Sequence, residues 1–344
     1  CTTFQNTFMK TPQFFIVFAL ILATCWTAAA ADSNVHLANP NASPEARGVM
    51  EYLNSIRNEK TLSGQHVMYG QMMDRDLGHI LQTTGKYPAL IEFEGGIFAR
   101  KFDDAYTSVQ EQLVKDAIAY WKAGGLVAIC WHWGNPMEPQ NTYPNTKIPF
   151  DIEAALREGT PEHEAMMKDL DVTATMLSEL RDAHVPVLWR PLHEICGGWF
   201  WWGMQGKDTG QKLWKTIFTY YTEHHHLDNL IWVYSASQEM RTEWFPGIEF
   251  ADVIGVDIYR KGQQGQRRNF DRMSSVAGNQ PVALTECDAI PDPATMKEQG
   301  FLWAWFSTWH SRYLRGNSPE LLRSVYNHEL VITRDELPVL NHTP

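Results

Sequence analysis

The sequence predicts a single domain of the α/β class, built as a (β/α)8 barrel (the TIM-barrel fold). Eight short apolar segments recur along the chain, and helical or loop segments separate them. Apolar segments that alternate with helices indicate a parallel sheet, and eight such units in about 300 residues suit a closed barrel. A doubly wound open sheet is the alternative. However, the first predicted strand lacks the Gly-x-Gly-x-x-Gly loop typical of dinucleotide-binding sheets.

The eight predicted strands are short apolar runs, several of them rich in β-branched residues. In chain order they are Thr61–His66, Tyr87–Phe93, Leu126–His132, Val185–Trp189, Leu230–Ser235, Val253–Tyr259, Pro281–Glu286 and Phe301–Trp305. Most of these runs end at or just before a polar side chain. In a barrel of this kind the ligand site lies at the carboxyl ends of the strands.

The predicted helices carry apolar residues three and four positions apart, which is the spacing of one helical face. They are Pro44–Asn58, Met72–Thr84, the segments around 109–120 and 166–180, Lys212–His225 and Pro319–Tyr326. Ser43 is a favoured N-cap. Trp133–Pro161, rich in Pro and Asn, is predicted to be a long loop, and loops of that length usually carry function.

The N-terminal segment predicts a secretory signal peptide. Met9 and Lys10 precede the apolar run Phe14–Ala23, and the small residues Ala28–Ala31 follow it. A positive start, a short apolar run and a small-residue cleavage site are typical of such signals, and the run is short for a membrane span. We therefore expect a signal peptide at residues 9–31, one folded domain at residues 32–344, and a secreted, extracellular protein.

The composition excludes some partners and favours others. The net charge is −11, from 29 Lys and Arg against 40 Asp and Glu, and no basic run occurs. This argues against binding to nucleic acid or to an anionic membrane surface. The chain has 14 tryptophans, several in adjacent pairs that cannot all face inward. This high tryptophan content is typical either of a large core or of a cleft in which aromatic rings stack on sugars.

Neither a cofactor nor a metal ion is expected. No glycine-rich phosphate loop occurs, and no His or Cys pairs show the spacing of a metal site. Three cysteines follow the predicted signal: Cys130, Cys196 and Cys287. We expect them to be buried thiols, or one disulfide plus one free thiol, rather than a disulfide scaffold.

The fourth predicted strand leads into the most unusual stretch of the chain. Arg190, His193 and Glu194 follow its apolar residues, and four consecutive aromatic residues occupy positions 199–202. Charged groups at the end of a buried strand are costly unless they are paired, so a functional site is the better interpretation. The aromatic rings of Trp199, Trp201, Trp202 and Trp305 could stack on sugar rings or pack in the barrel.

A second carboxylate, Glu286, ends the seventh predicted strand. Glycoside hydrolysis uses a pair of carboxyl groups, one neutral to protonate the leaving oxygen and one ionised. Arg190, if it approaches Glu286, would keep that carboxylate ionised. His132 and His193 could donate hydrogen bonds to carboxylates or to sugar hydroxyls.

These motifs resemble glycoside hydrolase family 26, whose principal members are endo-β-1,4-mannanases. The resemblance is carried by Trp189–Glu194 leading to Trp199–Gly203, and by Leu284–Glu286. Supporting matches run in family order: Ser63–His66, Trp131–Pro136 and Gly255–Tyr259. The sequence departs from the usual pattern at Cys287–Pro291, which puts the local loop shape in question but not the role of Glu286.

The resemblance implies a (β/α)8 barrel and a retaining double displacement. It makes Glu194 the general acid/base and Glu286 the nucleophile. It further implies that Arg190, His193 and Tyr259 surround the nucleophile. The residues implied to line the subsite where the bond breaks are His132, Trp199, Asp257 and Trp305, and Trp303 and Trp309 are rivals for the last position.

The expected function is therefore that of a secreted endo-β-1,4-mannanase acting as a monomer on mannan, glucomannan or galactomannan. Two alternatives remain. The same fold and mechanism could act on another β-glycan, mixed-linkage glucan or xylan, because the residues that meet the axial 2-hydroxyl of mannose cannot be located in the sequence. A non-catalytic sugar-binding barrel is the other alternative. Interior attack and release from a chain end are not distinguished.

Overall fold

A computed structural model describes residues 35–96, 104–259, 262 and 264–340, with the side chains of 104–107 and 109 left out. The predicted signal peptide at 9–31 lies outside these residues. Eight parallel strands form the barrel: β1 Thr61–Val67, β2 Leu90–Glu94, β3 Leu126–Cys130, β4 Val187–Arg190, β5 Leu230–Ala236, β6 Val253–Ile258, β7 Val282–Cys287 and β8 Trp305–Thr308. The sheet closes because β1 pairs with both β2 and β8. The predicted (β/α)8 fold is confirmed.

Helices fill the connections between the strands. They are α1 Pro44–Ser55, α2 Gln71–Thr84, α3 Asp104–Lys122, α4 Ile152–Ala155, α5 Pro161–Asp182, α6 Lys207–Thr219, α7 Arg267–Ala277, α8 Pro293–Glu298, α9 Arg312–Arg315 and α10 Pro319–Tyr326. A short strand, β9 Val331–Ile332, pairs with the beginning of β1. Ser43 caps α1 as predicted, accepting a hydrogen bond from the backbone N–H of Ala46. Across the described residues, no helix is both long and apolar enough to cross a bilayer.

Several predicted boundaries are wrong in ways that matter for the site. The eighth strand starts at Trp305, where its predicted run ends, because the apolar residues 301–304 belong to the preceding connection. β3 ends at Cys130, so His132 lies beyond the strand. The predicted loop Trp133–Pro161 contains a 3₁₀ helix at Tyr143–Lys147 and the helix α4.

The core takes most of the tryptophans. Nine of them are less than 2% exposed: Trp131, Trp133, Trp189, Trp201, Trp202, Trp214, Trp232, Trp303 and Trp305. Among the tryptophans that the structure describes, only Trp199 and Trp309 are partly exposed. The high tryptophan content therefore reflects packing more than a sugar-binding surface. Cys130, Cys196 and Cys287 are buried free thiols, which is the first of the two predicted arrangements.

Closure of the barrel depends on a glycine. A Cβ atom at Gly64 in β1 would collide with the carbonyl oxygen of Phe306 in β8. Gly64→Ala should therefore lower the free energy of unfolding by about 1–3 kcal/mol, the usual cost of overpacking. Gly48→Ala is the control, because Gly48 lies in α1 and a Cβ there meets nothing within 4 Å.

We expect Gly48→Ala to raise stability by about 0.5–1 kcal/mol, since Gly is a poor helix former. Urea unfolding of both variants measures the two effects. Equal stabilities for the two variants would contradict the assignment of Gly64 as the closure residue.

Candidate active site

The centre of the site is Arg190, the last residue of β4, which is 1% exposed. Its guanidinium contacts three carboxylates from three other strands. Nε lies 2.6 Å from Glu92 Oε1, Nη1 lies 2.9 Å from Asp257 Oδ2, and Nη2 lies 2.8 Å from Glu286 Oε2. The pairing expected between Arg190 and Glu286 is therefore present. A planar guanidinium with five N–H donors is suited to this role, because it can satisfy several carboxylates at once.

Glu286 lies in β7 with its side chain 7% exposed at the floor of a cleft. Its Oε2 accepts a hydrogen bond from Arg190, and its Oε1 accepts one from the hydroxyl of Tyr259. Both donors stabilise negative charge on the carboxylate. Glu286 is thus a carboxylate held in one orientation, with an edge open to the cleft.

Asp257, near the end of β6, is fully buried beside Glu286. Its Oδ1 accepts hydrogen bonds from Ser235 Oγ at 2.8 Å and Thr285 Oγ1 at 2.7 Å. Burial raises the pKa of Asp257 to about 7, against the opposing charge of Arg190 and with the repulsion of Glu286 adding to the rise. The prediction that Asp257 lines the subsite where the bond breaks is therefore wrong: its side chain is buried below the cleft surface and acts on the site through Arg190 and Glu286.

Glu92, in the middle of β2, is a member of the cluster that the sequence analysis missed. It binds Arg190 and also His66 at the end of β1, whose Nε2 lies 3.0 Å from Glu92 Oε2. Burial opposes the charged form, but the charges of Arg190 and His66 hold the pKa of Glu92 below its ordinary value. The available signal was a glutamate inside an apolar run, Leu90–Glu94, two residues before a second glutamate and therefore on the same face.

A second ion pair joins β2 to the segment after β3. Glu94 Oε2 accepts a short hydrogen bond from His132 Nδ1, and Glu94 Oε1 accepts the backbone N–H of Gly96 at 2.8 Å. Burial opposes ionisation of Glu94, yet His132 and the backbone donors lower the pKa of Glu94 to about 2. His132 Nε2 in turn lies 3.1 Å from His193 Nε2, so the two rings are within hydrogen-bond distance of each other.

Glu194 sits outside the strands, on the turn that follows β4. Leu192 and Glu194 have φ values of +48° and +51°, a left-handed conformation uncommon for such residues. Glu194 Oε2 accepts a hydrogen bond from the indole N–H of Trp199 at 2.8 Å. Burial, followed by the charges of Asp257 and Glu286, raises the pKa of Glu194 to about 9. Glu194 is therefore a neutral carboxylic acid at neutral pH.

The cleft above these groups combines both glutamates with aromatic side chains. The aromatic residues that line it are Tyr143, Phe200, Tyr259, Trp309 and Tyr313. Tyr143 is 55% exposed and comes from the predicted loop after β3. Phe200 is the residue of the 199–202 stretch that faces the cleft, whereas Trp201 and Trp202 are fully buried behind it.

The prediction that Trp305 lines the subsite where the bond breaks is wrong. Trp305 begins β8 at the opposite end of the strand from the cleft, and it is 1% exposed. Trp309 lines the cleft instead, because it directly follows the carboxyl end of β8 and packs on His66 with ring centroids 4.5 Å apart. The other predicted residues gather at the carboxyl ends of the strands: His132, Arg190, His193, Glu194, Trp199, Asp257, Tyr259 and Glu286.

Among the residues that the structure describes, two groups of side chains have the spacing of metal ligands. They are His66 with Glu92 and Cys130, and Cys130 with Glu94 and His132, with donor atoms within 4.8 Å of one another. Both groups share Cys130. Burial raises the pKa of the Cys130 thiol well above its ordinary value, so the thiolate that binds metals is disfavoured. The carboxylates are already paired with Arg190 or histidine, and these donors therefore suit internal ion pairs.

Known proteins resemble this chain over most of its length. A mannan endo-1,4-beta-mannosidase of Thermothelomyces thermophilus is 32% identical over 317 residues, which cover 88% of this chain and 64% of that protein. Mannan endo-1,4-beta-mannosidase A of a Piromyces species is 31% identical, over 90% of this chain and 51% of that protein. The chain thus spans between half and two thirds of the length of these two relatives.

Solved structures give the same fold. The crystal structure of a beta-mannanase from a symbiotic protist of the termite Reticulitermes speratus, in complex with a gluco-manno-oligosaccharide, aligns with a TM-score of 0.80. The two sequences are 33% identical, and the alignment covers 88% of this chain and 98% of the termite-protist enzyme chain. The sequence profile of glycosyl hydrolase family 26 matches residues 38–336. Since that match spans the whole barrel, this protein belongs to glycosyl hydrolase family 26.

Proposed function

We propose that this protein is a secreted, retaining endo-β-1,4-mannanase. The observation that carries the proposal is the pairing, in one cleft, of two carboxyl groups in opposite environments. Glu194 has a pKa raised to about 9, while Glu286 accepts charge-stabilising hydrogen bonds from Arg190 and Tyr259. A neutral acid beside a carboxylate is the arrangement that retaining glycoside hydrolysis requires.

In the first step of the proposed mechanism, Glu286 attacks the anomeric carbon while Glu194 donates its proton to the glycosidic oxygen. The carbon–oxygen bond to the leaving sugar breaks, and a covalent glycosyl–Glu286 ester forms. The negative charge of Glu286 then disappears, which removes one of the charges that raise the pKa of Glu194. Glu194 can then accept a proton from water, which attacks the ester and restores the original configuration.

The remaining charged groups of the cluster support this exchange of roles. Arg190 and Tyr259 bind the two oxygens of Glu286, so they orient the nucleophile and stabilise its charge as the ester is released. Asp257, held by Ser235 and Thr285, fixes the guanidinium from the side opposite the cleft. Arg190, Tyr259 and Asp257 thus position the nucleophile Glu286, whereas Trp199 positions the acid Glu194 through its indole N–H.

The substrate class follows from the cleft and from the relatives. The cleft is open to solvent on one face and carries flat aromatic rings such as Tyr143 and Trp309 beside the carboxyl groups. Such rings pack on the C–H faces of sugars. The relatives named above are mannan endo-1,4-beta-mannosidases, so β-1,4-mannan is the proposed polysaccharide. Secretion rests on the predicted signal peptide at 9–31.

The proposed substrate can be tested by measuring reducing ends released from mannan, glucomannan, lichenan and xylan in parallel. We expect the highest rates on mannan and glucomannan, together with an early fall in viscosity that marks attack in the chain interior. Glu286→Ala is the control and should be slower on mannan by at least about 10²-fold, because the nucleophile is lost. Faster hydrolysis of lichenan or xylan would change the assigned polymer, and binding without hydrolysis would indicate a sugar-binding barrel.

The stereochemistry of hydrolysis tests the double displacement. NMR spectra recorded in the first minutes of mannohexaose hydrolysis should contain the β-anomer of the new reducing end before it mutarotates. Retention requires carboxyl groups about 5–5.5 Å apart, whereas inversion requires a wider gap that admits a water molecule. If the α-anomer is the first product, the reaction inverts the configuration and the role of nucleophile given to Glu286 is incorrect.

The pH dependence of kcat/KM tests the assignment of Glu194 as the acid. Only the protonated form of Glu194 can donate to the leaving oxygen, and its pKa is raised to about 9. Activity should therefore persist through neutral pH and decline as pH rises through about 9. Glu194→Gln cannot titrate, so its small residual activity should lack this alkaline decline. Glu194 would be excluded as the acid if kcat/KM already declined in the pH range where an ordinary carboxyl group titrates. A decline near pH 9 that persisted in Glu194→Gln would exclude it as well.

A further inference from the structure

The turn that carries Glu194 is held by a side chain outside the cleft. The indole N–H of Trp202 donates a hydrogen bond of 2.9 Å to the carbonyl oxygen of His193. That carbonyl belongs to the peptide unit between His193 and Glu194, and the residues on either side of His193, Leu192 and Glu194, are both left-handed. The bond therefore acts on the peptide plane from which the Glu194 side chain projects.

This hydrogen bond has no substitute in solvent. Trp202 is fully buried, and His193 is 1% exposed, so water cannot replace the indole donor. A buried carbonyl that loses its donor is strongly disfavoured, and the turn would rearrange to recover one. Because two of its residues already occupy an uncommon backbone conformation, relaxation would change φ at Glu194 and move its carboxyl group.

The ring of Trp202 is itself fixed by its neighbours. It stacks on Phe200 with centroids 4.5 Å apart and an interplanar angle of 25°, and it packs on the His193 ring at 5.6 Å. Phe200 lines the cleft, so one aromatic stack connects the cleft wall to the support of the turn. The donor can therefore hold the carbonyl without an adjustment of its own position.

We propose that Trp202 is a positioning residue of the reaction. Its indole N–H fixes the peptide plane between His193 and Glu194 and thereby aims the acid/base carboxyl group at the glycosidic oxygen. The inference rests on the proposed function of Glu194. It assigns to Trp202 an effect on protonation of the leaving group, separate from any effect on stability.

The adjacent residue provides a matched control. Trp201 is also fully buried, and its indole N–H donates a hydrogen bond of 2.7 Å to a backbone carbonyl, that of Trp133. Both residues belong to the same 3₁₀ helix, Trp201–Gly203. Trp201→Phe and Trp202→Phe therefore remove the same atoms from neighbouring buried positions, but of these two indoles only Trp202 donates its hydrogen bond to the turn of Glu194.

The test compares kcat/KM for 2,4-dinitrophenyl and phenyl β-mannobiosides in the wild type and both variants. Dinitrophenolate leaves without protonation, whereas phenolate needs the acid. In Trp202→Phe the phenyl substrate should lose at least about tenfold more activity than the dinitrophenyl substrate, a fraction of what general acid catalysis contributes. In Trp201→Phe the ratio of kcat/KM for the dinitrophenyl substrate to kcat/KM for the phenyl substrate should stay near the wild-type ratio.

If Trp202→Phe does not fold, 3-benzothienylalanine at position 202 keeps the bicyclic ring and replaces only the N–H by sulfur, and the same ratio is measured. Equal losses on both substrates, in either replacement at position 202, would overturn the inference and leave the proposed function intact. A wild type that cleaves neither mannobioside would overturn the proposed function and the inference with it.

Discussion

The buried guanidinium of Arg190 is the interaction on which the rest of the site depends. It connects β4 to carboxylates on β2, β6 and β7, so half of the barrel strands meet at one cation. Removing one partner from a buried ion pair typically costs about 3–5 kcal/mol, because the other charge is left without compensation. Without Arg190, Glu92, Asp257 and Glu286 would face one another across the barrel at close range. The fold can therefore keep these three carboxylates together in its interior only while this cation is present.

The same cluster makes two glutamates chemically different. Glu286 is part of β7, at a register shift against both neighbouring strands, and belongs to the ion-pair network, where two donors hold its oxygens. Glu194 lies on an irregular turn, where it accepts a single indole donor and experiences the repulsion of Asp257 and Glu286. Residue type is identical, so the two glutamates differ only in what surrounds them.

Features that a short stretch of sequence encodes could be predicted, whereas features that depend on strand pairing or on the path of a long connection could not. Glu194 and Glu286 could be predicted because a carboxylate after an apolar run is visible in the chain itself. Trp305 was misassigned because the apolar run 301–305 does not mark where strand pairing begins, and the residues that do pair, 305–308, include Ser307 and Thr308. Tyr143 reaches the cleft through the path of a long connection, which no local pattern encodes.

The stretch after β4 shows why a barrel would place adjacent tryptophans beside Glu194. An irregular turn has no strand partner, so its buried carbonyl groups need donors from side chains. Indole supplies a single N–H on a large apolar ring, and it thus satisfies a carbonyl while excluding water. Trp199 serves the carboxyl of Glu194 directly, and Trp202 serves the peptide that carries it. Since burial is the first cause of the raised pKa of Glu194, the residues that hold the turn also create the apolar surroundings that raise this pKa.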